Sequence, residues 1–459
     1  MDAGTSRFKA AAIRPDGTLV ARSDRRYSAA ADSDRVHEYS TEDLMGAFTE
    51  TVGDLKRSMG DEPILGIGIT GHGPTLMPVD ARGQPLHPGV GYLDDRVKSF
   101  VRRLAEDRED RITSTMYIPI ALFFKEKLDR VYESTATFFQ PFDFLAYKLT
   151  GKSVASSSSS GIKPWELSKI DQAGLDRGKF PDIRYMGEEI GRTSEAGGRA
   201  VGLPPHVPVY AIGVDFAAAL VGTDMLSPGR SCERAGSSGG INLCWDRPVH
   251  DGRLLCYEHF IRGTWNVAGI TSTYGKALEW ARKALDAEGF ERERLKRKPP
   301  GIIFLPYLKG ERTPLWDPYA RGVFFGMRLE HDGIDLMMSV YTGVAMSIRD
   351  CIDIIESVGC RFDHPIVTTG GLTRDDWFMQ LKADVTGKTF AQTQLDDAEL
   401  LGIAIVVSAS QGHYASLTEA ASRIVRERRR FTPRAEESAR YDSLFGEYRT
   451  LRSGLQGHF

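Results

Sequence analysis

Four short stretches of this chain gather glycine, hydroxyl and carboxylate groups in patterns that suit phosphate chemistry. In MDAGTSRFKAAAI, Gly4 lacks the Cβ that would block a close backbone approach, and Thr5 and Ser6 add hydroxyls beside exposed N–H groups. In SCERAGSSGGINLCW, Gly236, Ser237, Ser238 and Gly239 repeat that composition between two strand-like runs. In PIVTTGGLTRDD, Gly370 and Gly371 join a strand to a helix expected to begin near Asp375, a junction that lets a flat ring or a phosphate approach the backbone. In VYAIGVDFAAALVG, a buried strand ends in glycine and Asp215 opens an alanine-rich helix. Each stretch also has a purely structural reading. Asp2 suits an Asx-type turn in a β-hairpin, and Asp215 suits a helix N-cap as well as it suits a general base at a strand end. Two glycine and hydroxyl hairpins, one per half, point to two related domains that hold a triphosphate from both sides of a cleft.

The elements that would position these residues alternate along the chain. Short β-branched runs at 64–70, 207–213, 301–308 and 365–371 are separated by helical patterns, which argues for an α/β fold. In IDLMMSVYTGVAMSIRDCIDIIESVG, Val340, Val344, Ile348 and Ile352 recur every fourth residue and Gly359 stands near the end, so a core-facing helix is expected. The apolar run 399–410 is too short and too rich in small residues to span a bilayer and is expected to be a buried helix. Glycine, proline and small polar residues at 221–231 have the composition of a connector between domains. SSSSSG at 156–161 is expected to form a turn or strand edge, and RERRRF at 426–431 a solvated helix end.

Bulk properties narrow the function. The 459 residues carry 59 basic and 62 acidic side chains, a net charge of -3, so nothing draws the chain as a whole toward nucleic acid or anionic lipid, and small molecules are the expected partners. Five cysteines lack a CxxC pair or a metal-ligand spacing, and the fold opens without a recognisable signal peptide, which leads us to expect a reducing cytoplasm.

Together with DARGQPLHPG, the DDR at 94–96, FQPFDFLAYKLTG and FLPYLKGERTPLWDPYARGVFFG, these stretches make the chain resemble, nearly end to end, the FGGY family of carbohydrate kinases. FLPYLKGERTP resembles xylulokinases more than glycerol kinases. The resemblance implies two actin-like, ribonuclease H-like ATPase domains, residues 1–224 and 225–459, with a catalytic cleft between them. It implies transfer of the γ-phosphoryl group of ATP to a sugar hydroxyl with Mg²⁺, D-xylulose being the expected substrate; a pentitol, gluconate or glycerol, or a non-catalytic ATP-binding role, are the alternatives. By the same resemblance Asp2 would hold the hydrated Mg²⁺, with Gly4, Thr5 and Ser6 on the phosphate side of the first hairpin and Gly236, Ser237, Ser238 and Gly239 forming the second. Gly275, Gly370, Gly371 and Asp375 would border the adenosine, and Asp215 would accept the proton of the attacking hydroxyl. A homodimer stays open.

The chain departs from the xylulokinase pattern in two places. Where those proteins place Gln-Met-His, TGHGPTLMP has His72, Gly73 and Pro74, so one side-chain hydrogen bonder and one N–H are lost. His72 would then contact the substrate or serve only as a loop residue in a tight turn. Asp94 and Arg96 match the family's sugar-facing pair, with an exposed ion pair as the alternative, and the Asn-Gln-Arg-Glu run of glycerol kinases is absent. The family's buried strand ahead of the first turn is also missing, so strands beside Asp2 should lack ladder partners. We therefore expect translation to begin upstream, with Met1 an internal residue of that strand.

Overall fold

Each glycine-rich turn connects two strands near the middle of its own sheet. In a computed structural model describing residues 1–32, 36–91, 94–106, 117–159, 163–294 and 301–458, the chain forms two compact units: Met1–Gly222 with Glu399–Ile424, and Thr223–Ala398 with Val425–Phe459.

The sheet of the first unit runs, edge to edge, through Glu189–Arg192, Pro208–Val214, Ile67–Gly71, Asp2–Ala3, Arg7–Ile13 and Leu19–Arg26. Asp2–Ala3 and Arg7–Ile13 form the first hairpin, antiparallel with Asp2 opposite Lys9, whereas Asp2–Ala3, Ile67–Gly71 and Pro208–Val214 are mutually parallel. The second unit repeats the plan. Ser231–Ala235 and Gly239–Trp245 form the second hairpin, Trp265–Thr271 continues it antiparallel, and Ile366–Thr369 and Phe390–Thr393 follow Ser231–Ala235 in parallel. Parallel strands need crossover connections, and these bring each central strand end next to a helix.

Burial follows the periodicity. Val340, Val344, Ile348 and Ile352 are buried on the helix Gly333–Ser357, which a capping box of Asp332 and Asp335 starts. In the first unit, Leu44, Phe48, Val52 and Leu55 of the helix Thr41–Met59 enter the core. The helix Ala398–Ser410 is apolar all round, and at Gly402 its backbone runs against the Ala218 carbonyl of the helix Asp215–Gly222. A side chain at Gly402 would force the two helices apart.

Two local expectations fail or hold only in part. RERRRF is not a helix end: Glu427–Phe431 is an antiparallel edge strand on Phe390–Thr393, with Phe431 buried and the arginines outward. Charged side chains on an exposed strand edge hinder pairing with other chains, and here Arg428 and Arg429 pair with Asp396 and Asp376. Within SSSSSG, Ser156 and Ser157 end the strand Val154–Ser157, while Ser160 and Gly161 lie outside the described residues. Among the described residues no helix is long and apolar enough to cross a membrane.

Candidate active site

In the first unit the parallel strand ends converge on one group of side chains. Asp2 is buried, its Oδ2 lies 3.4 Å from Lys9 Nζ, and its Oδ1 has no hydrogen-bond partner. Burial pushes its carboxyl up to about 7, opposed by Lys9 and reinforced by Glu399 and Asp215. Gly4 accepts a hydrogen bond from the Tyr27 hydroxyl, and Thr5 and Ser6 are exposed at the turn. Asp215 is the first residue of its helix, following directly on the strand Pro208–Val214. The strand can turn there because Gly213 has φ +89°; a Cβ on it would lie 2.6 Å from Ser158 N. Thr70 Oγ1 anchors the same turn by donating to the Gly213 carbonyl at 2.6 Å.

His72 extends this group. Its Nδ1 lies 2.8 Å from the Ala3 carbonyl, its ring packs on Tyr39 with centroids 4.4 Å apart, and its Nε2 is buried without a partner. Burial lowers its pKa, opposed by the bond to Ala3 and by the charge of Asp215. Next to it, a Cβ on Gly73 would lie 2.8 Å from the Tyr117 hydroxyl. Tyr117 donates to Gln140 Oε1, Gln140 Nε2 donates to Asp143 at 2.6 Å, and Asp143 accepts from Ser156 N at 2.8 Å. Burial pushes the Asp143 carboxyl up to about 7, opposed by these bonds.

Asp94 and Arg96 are tied to that wall through the strand His37–Tyr39. Asp94 is fully buried, accepts from His37 N at 3.0 Å, and receives Arg96 Nε at 2.9 Å. Arg96 also donates to Glu38 at 2.6 Å, one residue from the Tyr39 that packs on His72. Although burial works against it, the Arg96 guanidinium and the His37 and Arg96 backbone hold the Asp94 carboxyl below its usual range.

The second unit assembles the other residues. Gly236, Ser237 and Ser238 are exposed at the hairpin turn, and the carbonyls of the first two accept from the start of the helix Gly275–Ala284: Gly275 N donates to Gly236 O at 2.9 Å and Tyr274 N to Ser237 O at 3.0 Å. Gly275 admits no side chain, since a Cβ would lie 2.7 Å from Gly236 O. Gly370, at φ +106°, is equally constrained, with a Cβ position 2.6 Å from Ala235 O, while Gly371 faces open space. Asp375 caps the helix Asp376–Thr386 by accepting from Phe378 N and pairs with Arg294 at 2.5 Å. The structure therefore brings Gly236 to Gly239, Gly275, Gly370 and Gly371 into one group beside strand ends, with Asp375 committed to a cap and an ion pair.

Sequence reasoning missed several polar groups. Glu233, fully buried behind the second hairpin, pairs with buried Lys382 and accepts from Tyr274 at 2.6 Å and Thr368 at 2.8 Å; a charged residue inside an apolar strand was the available signal, but its partner lies 149 positions away. Glu311 in the GERTP run accepts from Ser272 N and Arg312 N at 2.6 and 2.7 Å, and burial pushes its carboxyl up to about 7. Gln140 and Asp143 lay in FQPFDFLAYKLTG, a stretch noted for its resemblance without a role for any side chain.

Comparison with known proteins gives this geometry its context. The pattern of the FGGY family of carbohydrate kinases matches over residues 1–222 for its N-terminal domain and 235–410 for its C-terminal domain. The chain is 24% identical to the xylulose kinase of Bacillus subtilis strain 168, over 98% of this chain and 95% of that one. It superposes on the ligand-bound xylulose kinase of Lactobacillus acidophilus with a TM-score of 0.87 at 21% identity, over 100% of this chain and 99% of that one. The gluconate kinase of the same organism gives 0.86 at 21%, over 99% and 97%. The architecture is thus that of the actin-like sugar kinases, with two mixed α/β domains. With the matched regions covering most of its length, the chain belongs to the FGGY family of carbohydrate kinases and is an ATP-dependent carbohydrate kinase.

Proposed function

We propose that this kinase phosphorylates a neutral ketopentose, D-xylulose before other sugars, in the cytoplasm. The observation that carries the choice of substrate is the end-to-end similarity to a xylulose kinase. Arg96 adds a chemical reason. Its guanidinium is already held by Asp94 and Glu38, so it is poorly placed to bind the carboxylate of a sugar acid, and a hydroxyl is the better fit.

In this reading Asp215 accepts the proton of the acceptor hydroxyl as its oxygen forms a bond to the γ-phosphorus and the bond to the departing ADP breaks. His72 Nε2 and Arg96 orient the sugar, with Asp94 holding Arg96 in place. The turns at Gly4 to Ser6 and at Gly236 to Gly239 offer backbone N–H groups and hydroxyls to the phosphates, and Gly275, Gly370, Gly371 and Asp375 border the adenosine. Asp2 fits Mg²⁺ through one atom: its buried Oδ1 has no hydrogen-bond partner and is a hard ligand, while Lys9 lies beside the other oxygen, Oδ2. When bound, the ion would neutralise phosphate charge.

An ADP-coupled screen over D-xylulose, other pentuloses, hexuloses, pentitols, gluconate and glycerol tests this. The highest kcat/KM should fall on D-xylulose or a related ketopentose. A higher value on gluconate or glycerol would overturn the choice of substrate.

A further inference from the structure

Behind the glycine turns of the second unit lie four buried polar side chains that no step of the reaction uses. Glu233 and Lys382 are fully buried and ion-paired, and Tyr274 and Thr368 are buried with them. The Tyr274 hydroxyl donates to Glu233 Oε1 at 2.6 Å, the Thr368 hydroxyl to Oε2 at 2.8 Å, and Lys382 Nζ to the same Oε2. One carboxylate thus gathers the start of the helix Gly275–Ala284, the strand Ile366–Thr369 and the helix Asp376–Thr386 around its own strand, Ser231–Ala235.

Each of the four residues leads into a turn. Glu233 precedes Gly236 by three residues, Tyr274 directly precedes Gly275, Thr368 precedes Gly370 by two, and Lys382 lies on the helix that Asp375 caps. Backbone pairing explains part of this order, since Glu233 lies beside Thr368 in parallel register. The ladder does not reach Tyr274 or the helix Asp376–Thr386, which only side chains tie to Glu233. Stability is a poor explanation for the pair, because apolar residues of similar volume often replace a buried ion pair with no loss. Hydrogen bonds are directional, whereas apolar burial is not, so the carboxylate can fix a spacing that an apolar side chain would leave loose.

We propose that Glu233 is a positioning residue for ATP. Its carboxylate sets the spacing between the hairpin turn at 236–239, the helix start at Tyr274 and Gly275, and the turn at Gly370 and Gly371, while Lys382 supplies the charge that lets it stay buried. Glu233 does not touch the nucleotide; it acts through the turns. The proposal rests on the reading of those turns as the nucleotide site. Phosphoryl transfer depends on placement, and a misplacement of about 1 Å can cost about 100-fold in rate.

The test compares the parent with two double variants, Glu233→Leu with Lys382→Met and Glu233→Gln with Lys382→Met. Both remove the two charges, but only glutamine keeps an oxygen for Tyr274 and an N–H₂ group for Thr368. Both should unfold cooperatively near the parent Tm. The first should lose roughly tenfold to a hundredfold in kcat/KM for ATP with the KM of the acceptor sugar unchanged, and the second should recover most of that loss. Tyr274→Phe with Thr368→Val, which cuts the same two links and leaves the ion pair in place, should reproduce the loss. Parent-like kcat/KM for ATP in the leucine or the phenylalanine variant would overturn the proposal, as would equal losses in the leucine and glutamine variants. Hydrogen exchange of the parent with and without a non-hydrolysable ATP analogue separates this from the reading beneath it. If the amides of 236–239, 275 and 370–371 gain no protection, the turns do not hold nucleotide and both ideas fall. If they gain protection while the variants keep parent kinetics, only the role of Glu233 falls.

Discussion

Asp215 shows how one residue type can serve two roles that sequence alone leaves equal. A cap and a base make different forecasts on substitution. Asparagine caps a helix about as well as aspartate does, but its amide cannot take the proton of an attacking hydroxyl. Asp215→Asn should therefore keep Tm and the affinity for an ATP analogue while turnover falls by roughly 10²–10⁴-fold. Turnover near that of the parent would leave Asp215 a structural residue only. His72 is a similar case: TGHGPTLMP could not separate a contact from a loop residue, and only folding showed Nε2 buried without a partner beside Tyr39. A buried polar atom left unpaired costs free energy, which gives a reason for it to meet a ligand.

At the scale of elements, the two hairpins were readable because glycine and hydroxyl residues interrupt apolar strands, and their packing explains why glycine is needed. Gly370 combines φ +106° with a Cβ position 2.6 Å from Ala235 O, whereas a Cβ on Gly371 meets nothing within 4 Å. Gly370→Ala should thus cost about 1–3 kcal/mol of stability through backbone strain. Gly371→Ala should leave Tm unchanged and, if the nucleotide lies against this turn, weaken ATP-analogue binding about tenfold or more. Calorimetry and equilibrium binding measure both; full affinity in Gly371→Ala would place the nucleotide elsewhere. The strand Glu427–Phe431 was misread as a helix end because five residues dominated by arginine carry too little apolar periodicity, and its pairing with Phe390–Thr393 is set by tertiary contact.

Over the whole molecule, the chain does not divide at a single point: 399–424 packs with the first unit although it follows nearly all of the second. Gln411 Nε2 donates to Leu65 O at 2.5 Å and the Tyr414 hydroxyl to Pro15 O at 2.9 Å, alongside buried Leu400, Leu401, Ile405 and Val406. Burying such a side chain contributes about 1.5–3 kcal/mol, so losing this segment removes an amount comparable with the ~5–15 kcal/mol margin of a typical domain. Residues 1–222 expressed alone should therefore lack a cooperative thermal transition, and linking 399–424 to them should restore one. A sharp transition in 1–222 alone, at the Tm of the linked form, would refute this. By itself the sequence determined the α/β class, the helix Gly333–Ser357, both glycine-rich hairpins and the strand-end position of Asp215, since all of these rest on local periodicity and turn chemistry. Only the tertiary structure decided that Glu233 meets Lys382, that Arg96 is held by both Asp94 and Glu38, and that the helix Ala398–Ser410 crosses the helix Asp215–Gly222 at Gly402. Those pairings join residues far apart in the chain, and no local pattern specifies which distant partner a buried charge or a bare glycine face will meet.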